Sequence, residues 1–239
     1  MKTTVGQIHD IYRYPVKSFA GEKLEQCPIE PYGLLGDRFV TLYDETKKDW
    51  NKFVTARNIP NLLNYHAVYR NGDIQITNPD GKVYGWDEQL LEEIQQQTDK
   101  KLTMSDFKQA HPQAEHPELL SVDGASILLI TDHSLNKLQE TWGKELDERR
   151  FRANFVVQVA DDSVHEGDWI GHKLTIGEVE LQVDSFCERC VLITMDPDTQ
   201  VKDPTLLKKV NQEFDLHFGV YASVIKTGNI KQGDKVILH

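Results

Sequence analysis

The sequence predicts an α+β fold that is mainly β, built from short strands in compact barrel-like sheets with a few short helices. Apolar and polar residues alternate with period two through Gly6-Gln7-Ile8-His9-Asp10-Ile11-Tyr12, as a half-buried strand requires. Glycine turns such as Thr227-Gly228-Asn229 and Gln232-Gly233-Asp234 separate short runs, which favours a barrel over a doubly wound sheet. The length of 239 residues fits one large domain or two small, intimately packed halves.

After the first strand, further strands are expected at Phe39 to Tyr43, Tyr65 to Tyr69 and Ile74 to Thr77. Asn78-Pro79-Asp80-Gly81 combines a pre-set proline φ with a glycine for positive φ, so it should turn Ile74–Thr77 back into Lys82–Trp86. Asp87 is placed to cap a helix from Glu88 to Gln97, with Leu90, Leu91 and Ile94 on one face. Residues 104 to 120 lack periodicity and hold His111-Pro112 and His116-Pro117, which marks a boundary or surface excursion with solvated histidines.

The second half opens on a buried strand, Ser126 to Ile130, and a helix from about Asp132 to Trp142 carrying Leu135, Leu138 and Trp142 at helical spacing. Strands follow at Phe155–Val159, Lys173–Ile176 and Val179–Val183. A short helix around Thr205–Gln212 and strands at Val220–Lys226 and Lys235–Leu238 close the chain.

Lys and Arg number 27 against 38 Asp and Glu, a net charge of -11. That balance repels nucleic-acid phosphates and acidic membrane surfaces, so neither is an expected partner. The start, MKTTVGQIHD, has neither a signal-peptide nor a transit-peptide pattern, and no apolar run approaches a membrane span. A cytoplasmic location is the expectation. The three cysteines, Cys27, Cys187 and Cys190, argue against a disulfide framework and leave thiol chemistry or metal ligation open.

Cys187-Glu188-Arg189-Cys190 admits several readings. A thioredoxin-type pair wants a helix N-terminus after it, whereas Val191-Leu192-Ile193-Thr194 reads as strand. A structural zinc wants two further ligands that no second motif supplies. One thiolate on a soft, redox-active metal is a third reading, with Arg189 to lower the thiol pKa and bind an anionic cofactor. Two buried structural cysteines are the fourth. Elsewhere, Tyr14-Pro15-Val16-Lys17-Ser18 offers an ammonium and a hydroxyl suited to phosphate. Gly33-Leu34-Leu35-Gly36-Asp37-Arg38 offers a glycine-bounded turn with a guanidinium, and Arg149-Arg150-Phe151-Arg152-Ala153-Asn154 puts a third basic group and an amide at a strand entrance. Together they suggest a basic pocket on an acidic protein.

These residues also carry a resemblance. Ile11-Tyr12-Arg13-Tyr14-Pro15-Val16-Lys17-Ser18, Gly33, Gly36-Asp37-Arg38 and Thr55-Ala56-Arg57 resemble the N-terminal β-barrel region of MOSC proteins. Phe151-Arg152-Ala153-Asn154, Asp168-Trp169, Ile176-Gly177, Cys187-Glu188-Arg189-Cys190, Asp196-Pro197-Asp198-Thr199, Phe218-Gly219 and Gly233-Asp234 resemble the MOSC domain. The likeness runs in order over nearly the whole chain and extends to the amidoxime-reducing components and the bacterial N-hydroxylated base-analogue reductases.

The resemblance implies an N-terminal β-barrel domain over residues 1–103, a MOSC β-barrel domain over 104–239, and a molybdenum cofactor in its molybdopterin form between them. It implies Cys190 as metal ligand and catalytic centre, with Lys17, Ser18, Arg38, Arg57, Arg152, Asn154 and Arg189 at cofactor-binding positions; Arg57 rests on charge and motif position. The implied activity is two-electron reduction of hydroxylamines, amidoximes or N-hydroxylated bases. A ferredoxin cluster needs four thiolates, so with three cysteines in all this chain carries no such cluster. Electrons would come from a separate ferredoxin or flavin reductase. The alternative is a sulfur carrier or cofactor-handling protein with a persulfide on Cys190; a noncatalytic module binding another phosphorylated small molecule is a further rival. Three departures stand out: Gly124-Ala125 where mitochondrial relatives carry hydroxyls, Glu188 where they carry a small polar residue, and Gln200 where a glycine often ends the Asp-Pro-Asp-Thr run, an exchange expected to change only a turn.

Overall fold

The computed structural model describes residues 2–108, 126–161 and 164–239, so the two His-Pro pairs and Gly124-Ala125 lie outside the described residues. In the first half β1 (Thr3–Arg13), β2 (Glu22–Leu24), β3 (Gln26–Glu30), β4 (Gly33–Leu34), β5 (Leu42–Asp44), β6 (Phe53–Val54), β7 (His66–Arg70), β8 (Asp73–Thr77) and β9 (Val83–Tyr84) precede α1 (Glu88–Gln95) and β10 (Leu102–Met104). The second half runs through β11 (Ile127–Thr131), α2 (Asp132–Trp142), β12 (Phe155–Val159), β13 (Lys173–Ile176), β14 (Val179–Glu188), α3 (Pro204–Phe214), β15 (His217–Lys226), β16 (Gly228–Lys231) and β17 (Lys235–Leu238). Short 3-10 helices fill several connections. Among the described residues no helix is long and apolar enough to cross a membrane.

Strand order β12-β11-β15-β14-β13-β17-β1, with β1 pairing back onto β12, closes a seven-stranded barrel. Strand β1 can do this because it is long: Thr3 to Gln7 pair with β17, Gly6 to Ile11 with β12, and Ile11 to Arg13 with β2. Irregularities in its register between Thr4 and Gly6 and between Ile8 and Asp10 let Val5, Ile8 and Ile11, at odd spacing, all face inward, where they meet Phe155, Val157, Trp169 and Leu174. Each such fully buried side chain contributes roughly 1.5–3 kcal/mol of apolar burial.

A second core, around Phe19, Leu42, Leu62, Tyr65 and Ile76, lies among the small sheets β10-β5-β6 and β7-β8-β9 and is covered by Leu90 and Ile94 of α1. A third packs α2 and α3 on the barrel through Leu138, Leu206, Val210 and Phe214, together with Phe151, Cys187 and Phe218. The caps follow the sequence: Asp87 accepts from Leu90 N at 3.1 Å, Thr131 from Ser134 N at 3.2 Å and Asp203 from Thr205 N at 3.0 Å, each satisfying a first-turn N–H. Asn78 Oδ1 accepts from Asp80 N and Lys82 N, and Gly81 takes φ +83°, so the expected Asn-Pro-Asp-Gly hairpin forms between β8 and β9.

Three local expectations are corrected. Phe39 to Tyr43 is strand only from Leu42, because the amides of Phe39 and Val40 turn to the Pro15 carbonyl and the Phe39 carbonyl takes the amide of Lys108. Gly228 is not a turn residue. It starts β16, which pairs with β3, and a Cβ there would lie 2.8 Å from Glu178 Cβ, so the glycine permits close approach within a sheet. Val191–Thr194 is a 3-10 helix rather than a strand, closed by Met195 N to Leu192 O and by Thr194 Oγ1 donating to Val191 O at 2.7 Å. A short apolar run looks alike in either state, and here only Ile193 and Thr194 are buried.

Candidate functional site

Four chain segments meet at one end of the barrel: the exit of β1, the turn at Gly36-Asp37-Arg38, the entrance of β12 and the exit of β14. Together with Trp50, Thr55 and Arg57 they enclose a cavity of about 290 Å³. Lys17, Ser18, Arg38, Arg57, Arg152, Asn154, Arg189 and Cys190, the residues expected from the sequence, all line it. Ala56, Leu63 and Met195 pack with Leu192 of its lining, joining the first half to the helical turn that follows Cys190.

Backbone geometry aims several of these side chains. Ser18, Arg38 and Arg152 take φ of 70°, 48° and 52°. This left-handed region is disfavoured for residues with a Cβ and is tolerated where surrounding structure enforces it. The enforcement at Arg38 is visible. Its amide donates to Tyr14 O at 2.7 Å, its guanidinium pairs with Asp37, and Nη2 donates to Arg152 O at 3.2 Å. Asp37 in turn accepts from Tyr14 N at 2.7 Å. Arg152 returns the link by donating Nη1 to Phe19 O at 2.7 Å. Asn154, fully buried, accepts from Leu128 N at 3.1 Å and donates to Tyr12 O at 3.3 Å, so its amide clamps β11 to β1.

Two guanidiniums flank the Tyr14 ring, Arg152 at 4.2 Å and Arg38 at 5.3 Å from its centroid, an arrangement favoured by the ring's electron-rich faces. The Tyr14 hydroxyl is buried with no hydrogen-bond partner among the described residues. Burial pushes it up to about 12, against the pull of Arg152 and Arg38. Lys108 is half-buried as a residue but its ammonium is buried, 5.3 Å from the Tyr32 ring centroid. Burial pushes it down to about 8; Arg38 and Lys17 act in the same direction and Asp37 against them.

Arg189 is nine-tenths buried: Nε donates to Phe218 O at 2.8 Å and Nη1 to Phe151 O at 3.0 Å, while Nη2 is buried without a partner among the described residues. Arg150 behaves alike. Its Nη2 pairs with Asp196 at 2.8 Å and its Nε is buried and unpartnered. Buried donors of this kind cost about 1–3 kcal/mol unless a ligand accepts from them. Cys187 is 2% exposed and packs in the third core, whereas Cys190 is exposed at the cavity wall. With the first thiol buried and the second open, the pair lacks the accessible leading thiol of a thioredoxin motif. Among the described residues no three His, Cys, Asp or Glu side chains are grouped to hold a metal ion.

Sequence reasoning left out Arg150, Trp50 and Tyr221, all of which line the cavity. Arg150 stood in the Arg149-Arg150-Phe151-Arg152 string, but its neighbour Arg149 faces away to Asp147 and Asp198, and nothing local distinguishes the two. Trp50 sits in a 3-10 helix with no periodic signal. Gln200, expected to alter only a turn, does adopt φ +58°, yet its side chain also bonds Asn64 of the first half.

The chain is thus a closed barrel whose rim, with an appended β region, surrounds a strongly basic cavity with one exposed thiol. The chain belongs to the MOSC domain family: the MOSC domain model matches residues 116–237 and the MOSC N-terminal beta barrel domain model residues 5–121. Among curated proteins it is similar to human mitochondrial amidoxime reducing component 2, 28% identical over 295 residues, covering 97% of this chain and 83% of the relative. It is also similar to molybdenum cofactor sulfurase 3 of Aedes aegypti, 31% identical over 134 residues, 54% of this chain and 17% of that one. Among solved structures the YuaD protein from Bacillus subtilis aligns over 100% of this chain and 97% of its own, with a TM-score of 0.52 at 13% identity, a likeness of fold.

Proposed function

We propose that this chain is a molybdenum-cofactor-dependent reductase of N-hydroxylated compounds, with the cofactor held between the region of residues 1–103 and that of 104–239. The observation that carries this reading is the exposed Cys190 thiol in a cavity lined by six cationic side chains, on a chain of net charge -11. The residues fit the cofactor: the buried, unpartnered Nη2 of Arg189 and Nε of Arg150 are donors awaiting an anion, and a thiolate suits a soft metal. Similarity to an amidoxime reducing component over 97% of the chain supports it further.

In this scheme Cys190 ligates the metal, and Lys17, Ser18, Arg38, Arg57, Arg152, Asn154 and Arg189 hold the anionic pterin. When bound, the cofactor supplies the two-electron redox chemistry. The protein's part is to fix the ligand thiol, neutralise the phosphate and keep the pterin oriented. Overall, an N–O bond is cleaved with two electrons and two protons, giving the N–H compound and water. The electrons come from a separate donor protein of ferredoxin or flavin reductase type, and the setting is cytoplasmic.

Expression in a host that makes the cofactor, followed by metal analysis, tests the reading. Near-stoichiometric molybdenum, lost on Cys190→Ser, is expected. Absence of molybdenum together with labile sulfur on Cys190 overturns it in favour of a persulfide carrier, the role consistent with the likeness to cofactor sulfurases.

A further inference from the structure

Among the described side chains lining the cavity, Lys17, Arg38, Arg57, Arg150, Arg152 and Arg189 are cationic, and Glu188 is the single carboxylate. Glu188 ends β14 two residues before Cys190 and is exposed. Neither Arg189, its neighbour in sequence, nor Arg150 pairs with it. Arg189 donates to the carbonyls of Phe218 and Phe151, and Arg150 pairs with Asp196. Among the described residues no hydrogen bond or ion pair holds the Glu188 carboxylate. Trp50 also lines the cavity and is 72% exposed, with its ring 5.3 Å from that of Phe53.

Once an anionic cofactor occupies the basic wall, Glu188 is the charge left beside the thiol, and Trp50 is an exposed, flat apolar surface in the same lining. A planar cation with paired N–H donors matches both: the carboxylate accepts a two-pronged, charge-assisted hydrogen bond, and the indole face attracts the cation. We infer that Glu188 is a specificity-determining residue. Through it the site prefers protonated N-hydroxyguanidines over neutral or anionic N–O compounds of the same shape, with Trp50 as the stacking surface. This rests on the proposed function.

The test uses the cofactor-loaded enzyme and an isosteric pair, an N-aryl-N′-hydroxyguanidine and the corresponding N-aryl-N′-hydroxyurea, at a pH where the guanidine is protonated. The wild type is expected to favour the guanidine in kcat/KM. Glu188→Gln is expected to lower that preference about tenfold, chiefly through KM of the guanidine, a size suited to a charged hydrogen bond discounted for exposure. Calorimetric affinity for the unreactive arylguanidinium should fall in parallel while affinity for the arylurea does not, and Glu188→Asp should restore part of the difference. Unchanged ratios and affinities in Glu188→Gln, with molybdenum bound and both compounds reduced, overturn this inference and leave the proposed function standing. A wild type without molybdenum that reduces neither compound overturns both.

Discussion

Asn64 and Gln200 bond each other reciprocally: Asn64 Nδ2 donates to Gln200 Oε1 at 2.9 Å and Gln200 Nε2 donates to Asn64 Oδ1 at 2.6 Å. One residue ends a 3-10 helix of the first half, and the other follows the Asp196-Pro197-Asp198-Thr199 run beyond the thiol. The pair sits beside the apolar contact of Leu63 with Met195 and Leu192, so it ties together the two sides of the candidate cofactor cleft.

Because each amide is the other's partner, the two residues should be energetically coupled. Asn64→Ala and Gln200→Ala are each expected to destabilise, and a double-mutant cycle in urea should give a coupling of about 1 kcal/mol. Additive losses would mean that the amides exchange freely with water. Retaining φ +58° at Gln200 with alanine keeps the backbone cost in all variants, so the cycle isolates the side-chain bond.

The three thiols should separate by reactivity. Cys190 is exposed, while Cys27 and Cys187 are buried, and burial pushes Cys27 up to about 12. A disulfide reagent at neutral pH is expected to label one thiol per cofactor-free folded chain quickly, with the other two appearing only on unfolding. Cys190→Ser removes the fast phase and leaves stability within about 0.5 kcal/mol. Cys187→Ser places a hydroxyl in the third core and should cost about 1–3 kcal/mol. Two fast thiols in the folded chain would contradict this geometry.

What could be read from the sequence followed from local rules. Period-two alternation gave β1, the Asp87 cap sits where a short acceptor precedes an apolar helical face, and proline with glycine marked the Asn78–Gly81 turn. The converging loops were legible because lysine, serine, arginine and asparagine beside strand ends matched a family pattern. Illegible features depend on distant partners. Nothing near Gly228 announces that it lies against Glu178 and pairs with Ile29. The left-handed φ of Arg38 and Arg152 goes with tertiary bonds that no propensity anticipates. The closure of β1 on β12 joins residues some 150 positions apart.

Lys108 gives the fold a dependence on pH. Its ammonium is buried over the Tyr32 ring without a hydrogen-bond partner among the described residues, and burial lowers it from 10.5 to about 8. Between those values the folded chain has released a proton that the unfolded chain still binds, so this group makes stability rise with pH across the window. Below pH 8 both states are charged and the full cost of burying the ammonium, on the order of 3 kcal/mol, is present. Lys108→Met removes the charge and keeps the aliphatic packing. The variant should therefore be more stable than the wild type at pH 7, and the gap should narrow steadily as pH rises from 8 toward 10.5. Taking the difference between the two proteins cancels the tyrosines that begin to titrate in the unfolded state near pH 10. Chemical denaturation at several pH values measures it. A gap that is constant from pH 7 to 10 would show that the ammonium is solvated in the folded protein, and would remove Lys108 from the buried charges around Asp37 and Arg38.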